Sequence, residues 1–142
     1  MYKRILVPTD GSEGATVAAE KAVELANRFE AALHTIYVVD TETGMDADVA
    51  GVFAAFEEAG QEAVDSVIDL AEGAGVETVI GEVARGRPPD AILDYIDEQA
   101  IEMVVMGTRG RTGIDRLLLG SVTEEVVRKS PVPVLTVSRP PE

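Results

Sequence analysis

The chain has 142 residues, 46% of them hydrophobic, and 26 acidic residues against 12 basic give it a formal net charge of −14. That length suits one domain, 1–142, with a core of its own, and the charge sets the surface against nucleic-acid backbones, which need a basic footprint. The chain has no cysteine, which removes disulfides, thiolate metal sites and thiol nucleophiles, and no apolar run approaches the roughly 18 residues of a membrane span.

Residues 1–8 are too short for a signal peptide, so a cytoplasmic protein with neither a membrane nor a nucleic-acid partner is expected. Lysine accounts for only 3 of the 12 basic residues, and so acidic a surface stays hydrated where salt screens its self-repulsion. A halophile-type surface is the corresponding expectation.

In chain order, Ile5-Leu6-Val7 predicts a buried strand ended by Pro8-Thr9-Asp10-Gly11. Ser12 suits the N-cap of a helix whose apolar face runs through Ala15, Ala18, Ala22, Leu25, Ala26 and Phe29. A second strand is predicted over 33–39, followed by a polar loop over 41–50. A long helix then reaches to about residue 74, with Val52, Phe53, Phe56, Ala63, Val67 and Ala71 inward, and a third strand spans 76–83. Pro88-Pro89 opens the next helix, where proline is tolerated in the first turn, with Ala91, Ile92, Tyr95 and Ile96 facing in. Met103-Val104-Val105-Met106 forms a fourth strand that stops at Gly107; a loop over 107–120, with a helical turn at 114–119, precedes a short helix at 121–129 and a fifth strand at 132–137.

Strands alternating with helices predict βαβ units with right-handed crossovers: an open, doubly wound, Rossmann-like α/β domain with helices on both faces of a parallel sheet. Ligands of such sheets sit at the strand C-termini, where the strand order reverses, which directs attention to Asp10, to Val38-Val39-Asp40 and to the segment after Met106. Pro131 and Pro133 flank the last strand and place it at a sheet edge, open to pairing with a second copy.

The segment from Met106 to Thr123 carries the chemistry. Its glycines let a ligand approach bare backbone amides, and Gly120-Ser121 precedes a helix whose N-terminus favours an anion, with the Ser121 and Thr123 hydroxyls beside it. Charge agrees: residues 29–84 hold 13 acidic side chains and no lysine or arginine, whereas 107–120 hold Arg109, Arg111 and Arg116 against Asp115 alone. Arg85 and Arg87 are expected in another loop after a strand. Cations gathered at strand ends of an acidic protein suit an anionic ligand; the alternative is pairing with the acidic surface.

Other chemistries lack their parts. No G-x-x-x-x-G-K-[ST] loop occurs, and no G-x-G-x-x-G follows the first strand. Asp10 has only Glu13 as an acidic neighbour and no lysine ends the fifth strand, against a phospho-acceptor. His34 is the only histidine, read as a packing or edge residue rather than a base, and no G-x-S-x-G elbow exists. Glu57-Glu58 and Glu124-Glu125 read as solvated helix faces.

Taken together, Pro8-Thr9-Asp10-Gly11-Ser12, Tyr37-Val38-Val39-Asp40, the glycine segment and the closing Pro131-Val132-Pro133-Val134-Leu135-Thr136-Val137 resemble the universal stress protein family over essentially the whole chain. Gly107, Gly110, Gly120 and Ser121 match the G-x-x-G-x(9)-G-[ST] motif of its nucleotide-binding branch with full spacing. The resemblance implies a five-stranded sheet in the order 3-2-1-4-5 and ATP as ligand, with Mg²⁺ arriving on the nucleotide. It implies that Asp10 and the Val38 backbone meet adenine or ribose, that Met106 and Gly107 form the floor, that Gly110, Gly120, Ser121, Val122 and Thr123 surround the phosphates, and that Pro8, Thr9 and Arg109 belong to the same binding site.

The resulting expectation is an adenine-nucleotide-binding stress-response module, a homodimer through strand 132–137 that works as a nucleotide-dependent switch. No residue set supplies an evident base to activate water, so any ATP hydrolysis should be slow. A slow ATPase or phosphotransferase and a nucleotide-free dimeric scaffold are the alternatives.

Overall fold

A computed structural model describes residues 2–41, 51–108 and 119–138. Strands and helices alternate along it: β1 (Arg4–Pro8), α1 (Glu13–Phe29), β2 (Ala32–Asp40), α2 (Val52–Gly73), β3 (Val79–Gly86), α3 (Pro88–Glu98), β4 (Met103–Gly107), α4 (Ser121–Lys129) and β5 (Val134–Val137). Every strand pairing is parallel, and the sheet order is β3-β2-β1-β4-β5.

The centre of the sheet is buried on both faces, which is why β1 reads as an uninterrupted apolar run rather than an alternating one. One face carries Ile5, Val7, Leu33 and Val105 against the alanine stripe of α1 and against Val67 and Ala71 of α2. The other carries Leu6, Ile36, Val104 and Met106 against Ile92, Tyr95 and Ile96 of α3 and Val126 of α4. Ser12 caps α1, its hydroxyl accepting from the Ala15 amide at 3.2 Å.

Two boundaries and two environments differ from the sequence reading. The third strand runs Val79–Gly86 rather than 76–83: Val76 is buried just after α2, its amide bonded to the Ala71 carbonyl, so its apolar character serves the helix end and not the sheet. The fifth strand begins at Val134 rather than at 132, because Pro133 offers only its carbonyl, which accepts from the Val104 amide at 2.9 Å. Arg85 accordingly lies inside β3, and Arg87 is the N-cap of α3; neither sits in a free loop. Glu125 is 8% exposed and not on a solvated face. The expected loop over 41–50 and helical turn at 114–119 fall almost wholly outside the described residues.

Candidate functional site

The strand order reverses between β1 and β4, the two strands that send their chains to opposite sides of the sheet. Their pairing is confined to Ile5 with Met103 and Leu6 with Val104. β1 and β2, by contrast, pair along the whole of Arg4–Pro8. The C-terminal halves of β1 and β4 therefore run on without a ladder between them, at the end of the sheet where Pro8 and Gly107 stand and where doubly wound folds hold ligands in a crevice.

The β1 side of that crevice is a tight turn held by its own side chains. The Thr9 amide donates to the Ile36 carbonyl at 2.9 Å, tying the turn to β2. The Thr9 hydroxyl accepts from the Gly11 amide at 3.1 Å, and a carboxylate oxygen of Asp10 accepts from the Ser12 amide at 2.9 Å. Threonine and aspartate stabilise turns in this way by answering the backbone two residues on. Gly11 has φ +79°, a left-handed conformation in which a side chain is strained. Thr9 is buried, and Asp10 is half-buried at the rim.

On the β4 side, Gly107 ends the strand and Gly120 is the N-cap of α4. The two ends of the intervening segment are held together: the Gly120 amide donates to the Thr108 carbonyl at 2.6 Å, and the Thr123 hydroxyl donates to the Gly107 carbonyl at 2.8 Å. Among the described residues no side chain caps the first turn of α4, so there the backbone donors of Ser121, Val122 and Thr123 stand at the positive end of the helix dipole without a side-chain acceptor.

Of the twelve residues singled out from the sequence, ten lie among the described residues and Arg109 and Gly110 lie outside them. Pro8, Thr9 and Asp10 stand at the end of β1; Val38 is near the end of β2; Met106 and Gly107 end β4; Gly120, Ser121, Val122 and Thr123 open α4. Met106 is 5% exposed and its side chain belongs to the core, as Val122 also packs on that core, so what these two offer is backbone.

Arg85 and Arg87 turn out to be paired. Arg85 meets Glu57 of α2 and lies over the Phe53 ring, 5.5 Å from its centroid. Arg87 meets Asp90 and, through both guanidinium nitrogens, Glu125. The hydrogen bonds from Arg87, then that from Lys129, hold the Glu125 carboxyl down at about 2, and the contact with Glu125, followed by Asp90, raises the Arg87 guanidinium further. Sequence reasoning missed Glu125 because its partner lies 38 positions away.

His34 is not an edge residue, since β2 is interior to the sheet. It is buried beside Tyr95, with Nδ1 2.6 Å from the Tyr95 hydroxyl, in register with Leu6 and away from the crevice. Burial, and secondarily the charge of Arg4, lowers its pKa; burial pushes the Tyr95 hydroxyl up to about 12. Among the described residues no cluster of three His, Cys, Asp or Glu could hold a metal, and no helix is long and apolar enough to cross a membrane.

Comparison with known proteins agrees with this architecture. A family model described as the universal stress protein family matches residues 1–138. A universal stress protein of Methanocaldococcus jannaschii is 38% identical over 144 residues, spanning 99% of this chain and 84% of its own. Universal stress protein UspA from Lactobacillus plantarum superposes with a TM-score of 0.83 at 28% identity, covering 96% of this chain and 97% of its own. A universal stress protein solved in complex with cAMP gives 0.76 at 27% identity, with the same two coverages, 96% and 97%. The chain belongs to the universal stress protein family.

Proposed function

We propose that the chain binds ATP in the crevice between β1 and β4 and acts as a nucleotide-dependent module rather than as a fast enzyme. The observation that carries the reading is the stapled glycine segment: Gly107 and Gly120-Ser121, at the motif spacing, meet across the Thr123–Gly107 and Gly120–Thr108 hydrogen bonds with the uncapped start of α4 between them. A helix start of this kind gathers phosphate oxygens onto backbone amides. The related protein solved with cAMP supports an adenine nucleotide as the ligand class.

The residues fit the group. Asp10 and the Val38 backbone would meet adenine or ribose, Pro8, Thr9, Met106 and Gly107 would line the floor, and Ser121 and Val122, with Arg109, Gly110 and Gly120, would take the phosphates. Thr123 would contribute its amide, because its hydroxyl proton is committed to the Gly107 carbonyl. Mg²⁺ would arrive on the phosphates. His34, the only histidine, lies buried away from the crevice, so no imidazole stands ready to activate water and turnover should be slow. The exposed edge of β5, where Leu135 is 40% exposed, would join two such chains into a dimer.

Thermal unfolding with and without Mg·ATP, beside Gly120→Val, tests the reading. Salt in the buffer should be high, given the net charge of −14. A ligand that binds only the folded state stabilises it by about 2.7 kcal/mol at a hundredfold excess over Kd. The parent should shift upward and Gly120→Val should not. No shift in the parent overturns the assignment.

A further inference from the structure

We propose that Arg87 and Glu125 are positioning residues for the phosphate end of this site, an ion-pair clasp that fixes where α4 begins. The proposal rests on the nucleotide reading above. Glu125 is the only carboxylate buried among the described residues, at 8% exposure. A buried carboxylate is costly unless its oxygens are answered, and here both are. Arg87 Nη1 lies 2.7 Å from Oε2 while Nη2 meets Oε1, and Lys129 Nζ reaches Oε2 at 3.0 Å.

The guanidinium is presented from a fixed backbone. Arg87 precedes Pro88, which disfavours helical geometry for it, and its φ −82° and ψ 121° are extended values of the kind proline favours there. Asp90, 3.1 Å from Nη1, holds the fork from the other side. The clasp thus ties α4 to the junction of β3 and α3, an anchor independent of the Thr123–Gly107 bond that ties it to β4.

α4 needs both. It has nine residues, too few to be stable without tertiary contacts, and among the described residues no side chain caps its first turn. Glu125 lies four residues after Ser121, one turn along the same helix face. Loosening the clasp therefore frees the turn whose amides face the phosphates. The residues proposed to meet the base, Asp10 in the turn after β1 and Val38 in β2, are held by other bonds. The clasp should consequently weigh on phosphate binding and leave the base and ribose end alone.

The test compares the parent with Glu125→Gln, and with Arg87→Lys, which keeps the charge but loses the two-pronged fork. Two readouts are taken: amide hydrogen exchange over 121–124 without ligand, and dissociation constants for ATP and for adenosine by calorimetry. In Glu125→Gln the α4 amides should exchange faster, and ATP should weaken by about tenfold or more while adenosine changes by less than about twofold, with Arg87→Lys between variant and parent. A purely structural role would weaken both ligands together or neither; an unchanged ratio of the two constants in a folded variant overturns the proposal, and Arg87→Lys decides if Glu125→Gln does not fold. A parent that binds neither ATP nor adenosine overturns the nucleotide reading itself, and the exchange readout then shows separately whether the clasp holds α4.

Discussion

The Thr123 hydroxyl donates to the Gly107 carbonyl at 2.8 Å and so bridges sixteen positions of chain, joining the end of β4 to the first turn of α4. Thr123 is 5% exposed and Gly107 is half-buried, so the bond is largely shielded from water. Thr123→Val keeps the shape and deletes the donor, leaving a half-buried carbonyl one acceptor bond short. Urea unfolding should show a loss of about 1–2 kcal/mol, and Thr123→Ser should retain most of the stability. A valine variant as stable as the parent would mean that the bond does not hold the segment.

Space rather than backbone conformation makes two glycines irreplaceable. A Cβ at Gly60 of α2 would stand 2.6 Å from the ring of Tyr37, which is itself buried in β2. A Cβ at Gly81 of β3 would run into the Cγ1 of Val64. Helix propensity alone would make Gly60→Ala stabilising by about 1 kcal/mol. The clash should win, and each alanine should destabilise by about 1–3 kcal/mol. Gly73, also in α2, has nothing within 4 Å of a built Cβ, so Gly73→Ala is the control and should leave stability unchanged or raise it.

The sheet was legible in the sequence because strands buried on both faces are uninterrupted apolar runs and helices of this length show their period. Ser12, Pro88 and Pro131 punctuated it by mechanisms that act locally. What stayed hidden depends on partners far along the chain. Arg85 and Arg87 looked like cations available to a ligand because Glu57 and Glu125, which answer them, lie 28 and 38 positions away. Glu125 looked solvated because its neighbour Glu124 is, through its pair with Arg128 on the exposed side of α4. In the candidate site the residue types and spacing were readable, but the commitment of the Thr123 proton to Gly107 was not.

His34 makes stability depend on pH. Its folded pKa lies below the ordinary 6.5, because burial and then Arg4 disfavour the charged ring. The unfolded chain therefore binds the proton more readily, and stability rises with pH through the window that ends near 6.5. Below that window the folded state must either charge a buried ring beside Tyr95 or lose ground. Denaturant midpoints between about pH 5 and 7 should fall with falling pH in the parent, with a ceiling of about 1.4 kcal/mol per pH unit for one proton. His34→Gln should flatten that slope whatever its effect at pH 7. An equal slope in both proteins would assign the dependence to the carboxylates instead.

The proposed dimer makes its own demand on β5. That strand is four residues long and lies at the sheet edge, with Leu135 40% exposed; Val127 of the adjoining α4 is 42% exposed. Apolar side chains beside an unpaired strand edge invite association with a second copy, and a buried charge is the usual means of preventing it. Leu135→Glu adds a charge to a chain already at −14, so two copies would repel as well as lose contact. Sedimentation equilibrium should show a dimer for the parent and a monomer for Leu135→Glu, with the thermal shift on adding Mg·ATP retained, because β1, β4 and the start of α4 lie within one chain. A monomeric parent would remove the dimer from the reading, and loss of the ATP shift in a folded monomer would mean that the second copy completes the site.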